Sequence, residues 1–302
     1  MAKLRRNHGS GRGRGSDFGA SLWRLFVLLI LLCGAIAWLF TSGLGAPDEH
    51  VAAGFDESPG SEAAARTYLP TGPSDQVVHH AYYSLGYDED WEQPRWVAYR
   101  LTPKQVKNRR VKRRDDFRPD PQVRTGSAER DDYRRSGYSR GHLVPAGDMA
   151  FDERAMNETF YYSNMSPQLA AHNGAVWREL EESVRDWVRE RGATYIVTGP
   201  IVGERPETIG RNAVAVPEAF YKVLLREDGE GIGFVIPHAR QSDPLEAFAV
   251  SIDEVERQSG LDFFPELAGL ATAEAEAGFD VNQWPSDERR YQRRVNSWNK
   301  QR

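Results

Sequence analysis

Residues 173–190 read Asn-Gly-Ala-Val-Trp-Arg-Glu-Leu-Glu-Glu-Ser-Val-Arg-Asp-Trp-Val-Arg-Glu and bring Val176, Leu180, Val184, Trp187 and Val188 onto one face at helical spacing. A segment with this pattern must lay that face on an apolar core, and Gly192 supplies its stop. Steps of four drift only slightly about a helix axis, so Asn173, Trp177, Glu181 and Arg185 are expected to form one slanting ridge. A single rigid element would then carry an amide oxygen, a carboxylate and a guanidinium.

Upstream lies Ser139-Arg140-Gly141-His142, and between the two segments Ser163-Asn164-Met165-Ser166-Pro167-Gln168. These residue types match what hydrolysis of a phosphodiester requires. An attacking water must lose a proton, and the charge growing on the phosphoryl and leaving oxygens must be neutralised. Histidine, with an ordinary pKa of about 6.5, is the natural base, which makes His142 the candidate. Magnesium takes hard oxygen ligands and keeps most of its waters, so Asn173 suits a direct ligand and Glu181 a partner for those waters. Arg140 and Arg185 offer planar donor forks for phosphate oxygens. Each feature alone is weak, since an asparagine before a helix is more often a cap and Arg-Gly-His is a short motif. The signal is the joint order and spacing from Arg140 to Arg185.

Gly137 to Met149, then Ser163 to Gln168, then Asn173 to Glu181 resemble the DNA/RNA non-specific endonucleases of the ββα-metal type, the family of endonuclease G and the sugar-non-specific nucleases. The similarity runs from about Tyr68 to Leu270 and includes Trp96-Val97-Ala98-Tyr99 and Gly260-Leu261-Asp262-Phe263-Phe264-Pro265. The resemblance implies that His142 is the general base and Asn173 the only direct protein ligand of magnesium. It further implies that Glu181 holds metal-bound water, that Arg140 and Arg185 contact phosphate, and that Asn164 supports the base. It also implies products with 5′-phosphates and a base borne on a β-ribbon facing the metal-bearing helix. Where the family carries Asp-Arg-Gly-His, this chain has Ser139, with a shorter reach and no charge. A further family arginine has no single match, because Arg109, Arg110, Arg113 and Arg114 compete for it.

The net charge of -5 seems at odds with a polyanionic substrate. Its distribution removes the conflict: Lys104, Lys107, Arg109, Arg110, Lys112, Arg113 and Arg114 form a stripe without an acidic residue. The single cysteine, Cys33, excludes an intramolecular disulfide framework, and no zinc finger, P-loop or dinucleotide fingerprint occurs. His79 and His80 fall on a strand-like stretch and read as structural, His172 lacks a partner pattern, and His238 stays unassigned.

Every residue from Leu25 to Phe40 is apolar or glycine and no charge occurs between Arg24 and Asp48, long enough for a membrane span of about 20 residues. Lys3, Arg5, Arg6, Arg12, Arg14 and Arg24 before it favour a cytoplasmic tail over 1–24. The expectation is a signal anchor over 25–44 with the downstream domain on the extracytoplasmic side. The alternative is secretion after cleavage near Ala35-Ile36-Ala37, although Trp38-Leu39-Phe40 continues the apolar run. Residues 45–67 read as a flexible linker.

The remainder, 68–270, is expected to be an α+β nuclease domain with a mainly antiparallel central sheet flanked by helices. Strand-like runs occur at Val77 to Tyr83, Trp96 to Leu101, Thr194 to Thr198, Phe220 to Leu225, Gly231 to Ile236 and Phe248 to Val250. A hairpin turn is expected at Arg226 to Glu230, and a short helix between the capping-box sequence Ser251-Ile252-Asp253-Glu254 and Gly260. The charged extension 271–302, with Arg289, Arg290, Arg293, Arg294, Lys300, Arg302 and Trp298, either docks as a helix or touches nucleic acid. The function expected is magnesium-dependent cleavage of DNA and RNA with little base preference, manganese being a chemically equivalent ion. The alternative is a catalytically silent surface protein that binds nucleic acid.

Overall fold

Successive side chains of a strand point to opposite faces of a sheet, and here both faces are covered. Trp96, Ala98, Tyr195, Val197, Tyr221, Val223 and Leu225 enter one apolar layer, while Val97, Tyr99, Ile196, Phe220 and Leu224 enter the other. The strands therefore read as nearly continuous apolar runs in the sequence, without a polar alternate face.

The computed structural model describes residues 66–300. Its strands are β1 (Gln76–His79), β2 (Ser84–Asp88), β3 (Gln93–Leu101), β4 (Ser139–His142), β5 (Met165–Gln168), β6 (Thr194–Ile201), β7 (Thr208–Ile209), β8 (Val214–Ala215), β9 (Ala219–Arg226), β10 (Gly231–Pro237) and β11 (Ala249–Val250). The central sheet has the order β1-β2-β3-β6-β9-β10-β11 and is antiparallel throughout. The helices are α1 (Pro103–Lys107), α2 (Arg130–Tyr133), α3 (Glu153–Glu158), α4, α5 (Ile252–Ser259), α6 (Ala273–Ala277) and α7 (Glu288–Asn299). The long helix α4 joins Ala170–His172, a π-helical turn Asn173–Trp177 and Arg178–Arg191.

On one side of the sheet, Val176, Leu180, Val184, Trp187 and Val188 of α4 share a core with Tyr291 and Val295 of α7. On the other, Ile252 and Val255 of α5 pack with Phe263 and Phe264. The architecture is thus α+β with helices on both faces of an antiparallel sheet. The α5 helix begins at Ser251, whose side chain accepts the Glu254 N–H at 3.2 Å, and ends at Gly260 in the left-handed region, φ 69°. Only half of the expected capping box forms, because the Glu254 carboxylate is taken by Arg257 and Gln258.

The first expected strand is shorter than its apolar run. It stops at His79 because His80 turns inward to bond Asp120 at 2.9 Å, and Tyr83 directs its hydroxyl to the Glu158 carbonyl at 2.8 Å. The chain then reverses into β2, which the sequence reading did not anticipate. The basic tail, the apolar segment 25–44 and the linker up to residue 65 lie outside the described residues. Among the described residues, no helix is long and apolar enough to cross a membrane.

Candidate active site

The strands β4 and β5, with α3 inserted between them in the chain, pair as a ribbon that leads directly into α4. Its antiparallel register pairs Ser139 with Gln168, Arg140 with Pro167, Gly141 with Ser166 and His142 with Met165. Alternation along β4 separates Arg140 and His142 from Ser139 and Gly141. Gly141 is required here because the Gln168 side chain occupies the place of a Cβ. Just past the strand, Asn164 accepts the Val144 N–H at 2.9 Å and donates to the carbonyls of Val144 and Thr159, each at 3.0 Å. Asn164 therefore fixes the backbone leaving His142, without a hydrogen bond to the imidazole.

His142 is buried, its ring edge-on to Phe160 and tilted against Phe117. Burial, reinforced by the positive charges of Arg113 and Arg140 against the opposing Asp115, lowers its pKa to about 3. The imidazole is thus neutral and holds a lone pair at any physiological pH. Its Nε2 is buried with no hydrogen-bond partner among the described residues.

Asn173 opens the π-helical turn, inside the helix and not at its cap. Its Nδ2 donates to Ser139 Oγ at 3.2 Å, and the same hydroxyl donates to the Gln168 carbonyl at 2.7 Å. One serine thus ties together β4, β5 and α4. The π turn also corrects the expected ridge. Wider winding turns Trp177 into the core, where it is fully buried against His172 and Phe220, while Asn173, Arg178, Glu181 and Arg185 line an open cleft of about 780 Å³ together with His142 and Arg140.

Arg185 is buried and its Nη1 donates to Asp148 Oδ1 at 2.6 Å; Tyr99 donates to the other oxygen of that carboxylate at 2.8 Å. This guanidinium is a fixed charge. Burial pushes the Glu181 carboxyl pKa up, against the pull of Arg185 and Lys222. Burial also pushes the Lys222 ammonium down, against Glu181 and Asp148; that ammonium lies 5.0 Å from the centroid of the Trp177 ring.

Of the four competing arginines, Arg109 and Arg113 line the cleft. Arg110 instead donates to the Phe151 carbonyl at 3.1 Å. The Arg140 guanidinium lies 3.9 Å over the Phe117 ring, which orients it without occupying its donors.

With this geometry in view, the sequence matches a family model described as DNA/RNA non-specific endonuclease over residues 60–270. The chain belongs to that family. Among its curated relatives, "Nuclease EXOG, mitochondrial" of Danio rerio is 38% identical over 202 residues, covering 61% of this chain and 59% of that protein. "Endonuclease G, mitochondrial" of Homo sapiens is 37% identical over 213 residues, covering 65% of this chain and 72% of that protein. A solved structure titled "Crystal structure of the EndoG/EndoGI complex: Mechanism of EndoG inhibition" superposes with a TM-score of 0.62 at 35% identity, covering 68% of this chain and 91% of that one. The chain thus spans less than two thirds of the first of these relatives.

The non-specific endonucleases are divalent-metal-dependent as a family, and the donor set here fits a hard cation. The Ser139 bond engages the amide nitrogen of Asn173, while Asn173 Oδ1 accepts no hydrogen bond from the described residues. A carboxylate, Glu181, lines the same cleft. Among the described residues no cluster of three His, Cys, Asp or Glu side chains exists that would form a softer cage.

Several cleft residues have no individual role that the sequence alone assigns. Asp148 falls within the Gly137 to Met149 segment, but its pairing with Arg185 arises only from how that segment meets α4. Lys222 stands out only as a cation inside the apolar run Phe220 to Leu225. Trp298 of α7 lines the cleft from beyond the family segment, and nothing local to it foretells that. His172 packs against Trp177, Phe220 and His238. His238 Nε2 accepts the Leu169 N–H at 2.8 Å, so its Nδ1 donates to the Pro217 carbonyl at 2.8 Å and holds the start of α4.

Proposed function

We propose that the chain is a divalent-cation-dependent endonuclease that hydrolyses phosphodiester bonds of DNA and RNA with little base preference and leaves 5′-phosphates, magnesium being the working ion. The observation that carries it is the meeting in one cleft of a neutral imidazole on β4 and an oriented amide on α4. Asn173 Oδ1 would ligate the cation and Glu181 would accept hydrogen bonds from its hydration shell. Such an ion supplies Lewis acidity to the phosphate and the leaving oxygen.

In this reading His142 takes the proton of the attacking water. Arg140 and Arg113 sit beside it to meet phosphate oxygens, and Arg109 widens the positive field. Arg185, locked by Asp148, contributes a preorganised charge that needs no rearrangement during the reaction. Asn164 is a positioning residue that acts through the backbone after His142.

The test is incubation of the protein with plasmid and with RNA, with magnesium, with chelator, and as His142→Ala. Nicking by the wild type that is abolished by chelator and by the substitution is expected. Binding without cleavage would replace the enzyme by a silent binding protein. For the segment 25–44 we propose a signal anchor that keeps the nuclease domain extracytoplasmic, on the strength of its apolar length and basic flank. External protease should then digest the domain on intact cells.

A further inference from the structure

We propose that Trp298 is a stacking platform for an unpaired nucleobase flanking the diester in the cleft, an inference that rests on the nuclease reading above. The indole edge bearing Cζ2, Cε2 and Nε1 occupies the space that a side chain on Gly174 would fill. Gly174 directly follows Asn173, so the ring stands beside the proposed cation ligand. Of the other large aromatics of this extension, Trp284 and Tyr291 are fully buried and Phe279 is exposed outside the cleft lining, whereas Trp298 is half-buried and lines the cleft. A partly exposed indole in the lining of a polar cleft offers that cleft an apolar surface.

The platform is rigid. Arg290 donates to Glu179 at 2.8 Å and to Asp186 at 2.7 Å, Arg294 pairs with Glu179 at 3.1 Å, and Tyr291 and Val295 enter the core. Arg240 ties the last turn through Asn299 at 2.9 Å. Arg178, Arg189 and Arg290 line the same cleft but are each paired with a carboxylate, Glu182, Asp186 and Glu179 respectively, so the cations left to meet a phosphate backbone are Arg109 and Arg140. Cations beside a partly exposed ring are the combination that holds single strands, and it tolerates any sequence because every base has a π face. The ring lies on α7, past residue 270, so the extension adds this subsite to the family domain.

The experiment measures binding of the full chain, in chelator, to a fluorescein-labelled oligothymidine and to the same backbone with tetrahydrofuran abasic residues. Binding in chelator needs no turnover, so failure of the nuclease reading would not hide the result. The wild type is expected to prefer the base-bearing strand about tenfold, Trp298→Ala to bring that ratio close to one, and Trp298→Phe to keep most of it. An equal loss on both strands, an unchanged ratio in Trp298→Ala, or loss of the ratio in Trp298→Phe would overturn the proposal.

Discussion

Asn173 Nδ2 donates to Ser139 Oγ at 3.2 Å, and the amide of the proposed cation ligand is thereby oriented by the residue that departs from the family motif. A hydroxyl can accept from Asn173 and donate to the Gln168 carbonyl at once, whereas a carboxylate can only accept. Ser139→Ala is therefore expected to lower kcat roughly threefold to tenfold and to raise the magnesium concentration needed for half-maximal rate, with Ser139→Thr close to wild type. Titrating the rate against magnesium checks this; an alanine variant with unchanged kcat and magnesium demand would show that the hydroxyl is idle.

The two buried histidines set an acid sensitivity. His142 is lowered to about 3 by burial and then by Arg113, and His172 to about 3 by burial and then by His238. Below pH 6.5 the unfolded chain protonates both rings while the folded chain does not until the pH nears 3, so stability is fully present above that window and falls as pH drops through it. Each ring contributes up to about 1.4 kcal/mol per pH unit. Melting temperatures at pH 7.5 and 5 should differ less in His142→Asn than in the wild type. The acid limb of kcat/KM that belongs to His142 is expected well below pH 6.5, whereas Glu181, its carboxyl pushed up to about 7 by burial, accounts for a limb near neutrality; a limb at 6.5 that persists in Glu181→Gln would contradict the buried, neutral base.

Removing the partner of Arg185 should harm turnover more than it harms folding alone would explain. Asp148→Asn keeps the shape and loses the charge that holds Arg185 at 2.6 Å. A fall in kcat of about tenfold or more is expected, together with a melting point lowered by the loss of a buried pair. Arg185→Lys should not rescue, because an ammonium lacks the planar fork.

Glu179 is fully buried and bridges Arg290 and Arg294. Replacing both arginines by alanine leaves that carboxylate without a countercharge, a cost of about 3–5 kcal/mol. Chemical denaturation of Arg290→Ala/Arg294→Ala against the wild type checks this, and a change below about 1 kcal/mol would mean that α7 is not clasped to α4.

The apolar runs of β3, β6, β9 and β10 were legible because both sheet faces are covered, so side-chain pattern and strand coincide. The β2 strand was hidden since Ser84-Leu85-Gly86-Tyr87-Asp88 is short and holds a glycine, required where the Trp96 indole crosses. His142, Asn173 and Glu181 were legible as a spaced set. The bond from Ser139 to Asn173, the choice of Arg109 and Arg113 among four arginines, and the reach of Trp298 depend on how distant segments meet, which no local pattern encodes. The π turn escaped for a related reason: its apolar residues satisfy a regular helix nearly as well, and only the burial of Trp177 reveals the extra residue.

That extra residue is absorbed by the turn itself. Five residues wound more loosely bring Asn173 round to about the bearing toward Glu181 that four residues of ordinary winding would give. Deleting Ala175 should therefore let the turn tighten without swinging the amide out of the cleft. A deletion variant that still cuts would show that the bulge stores a residue and does not aim one.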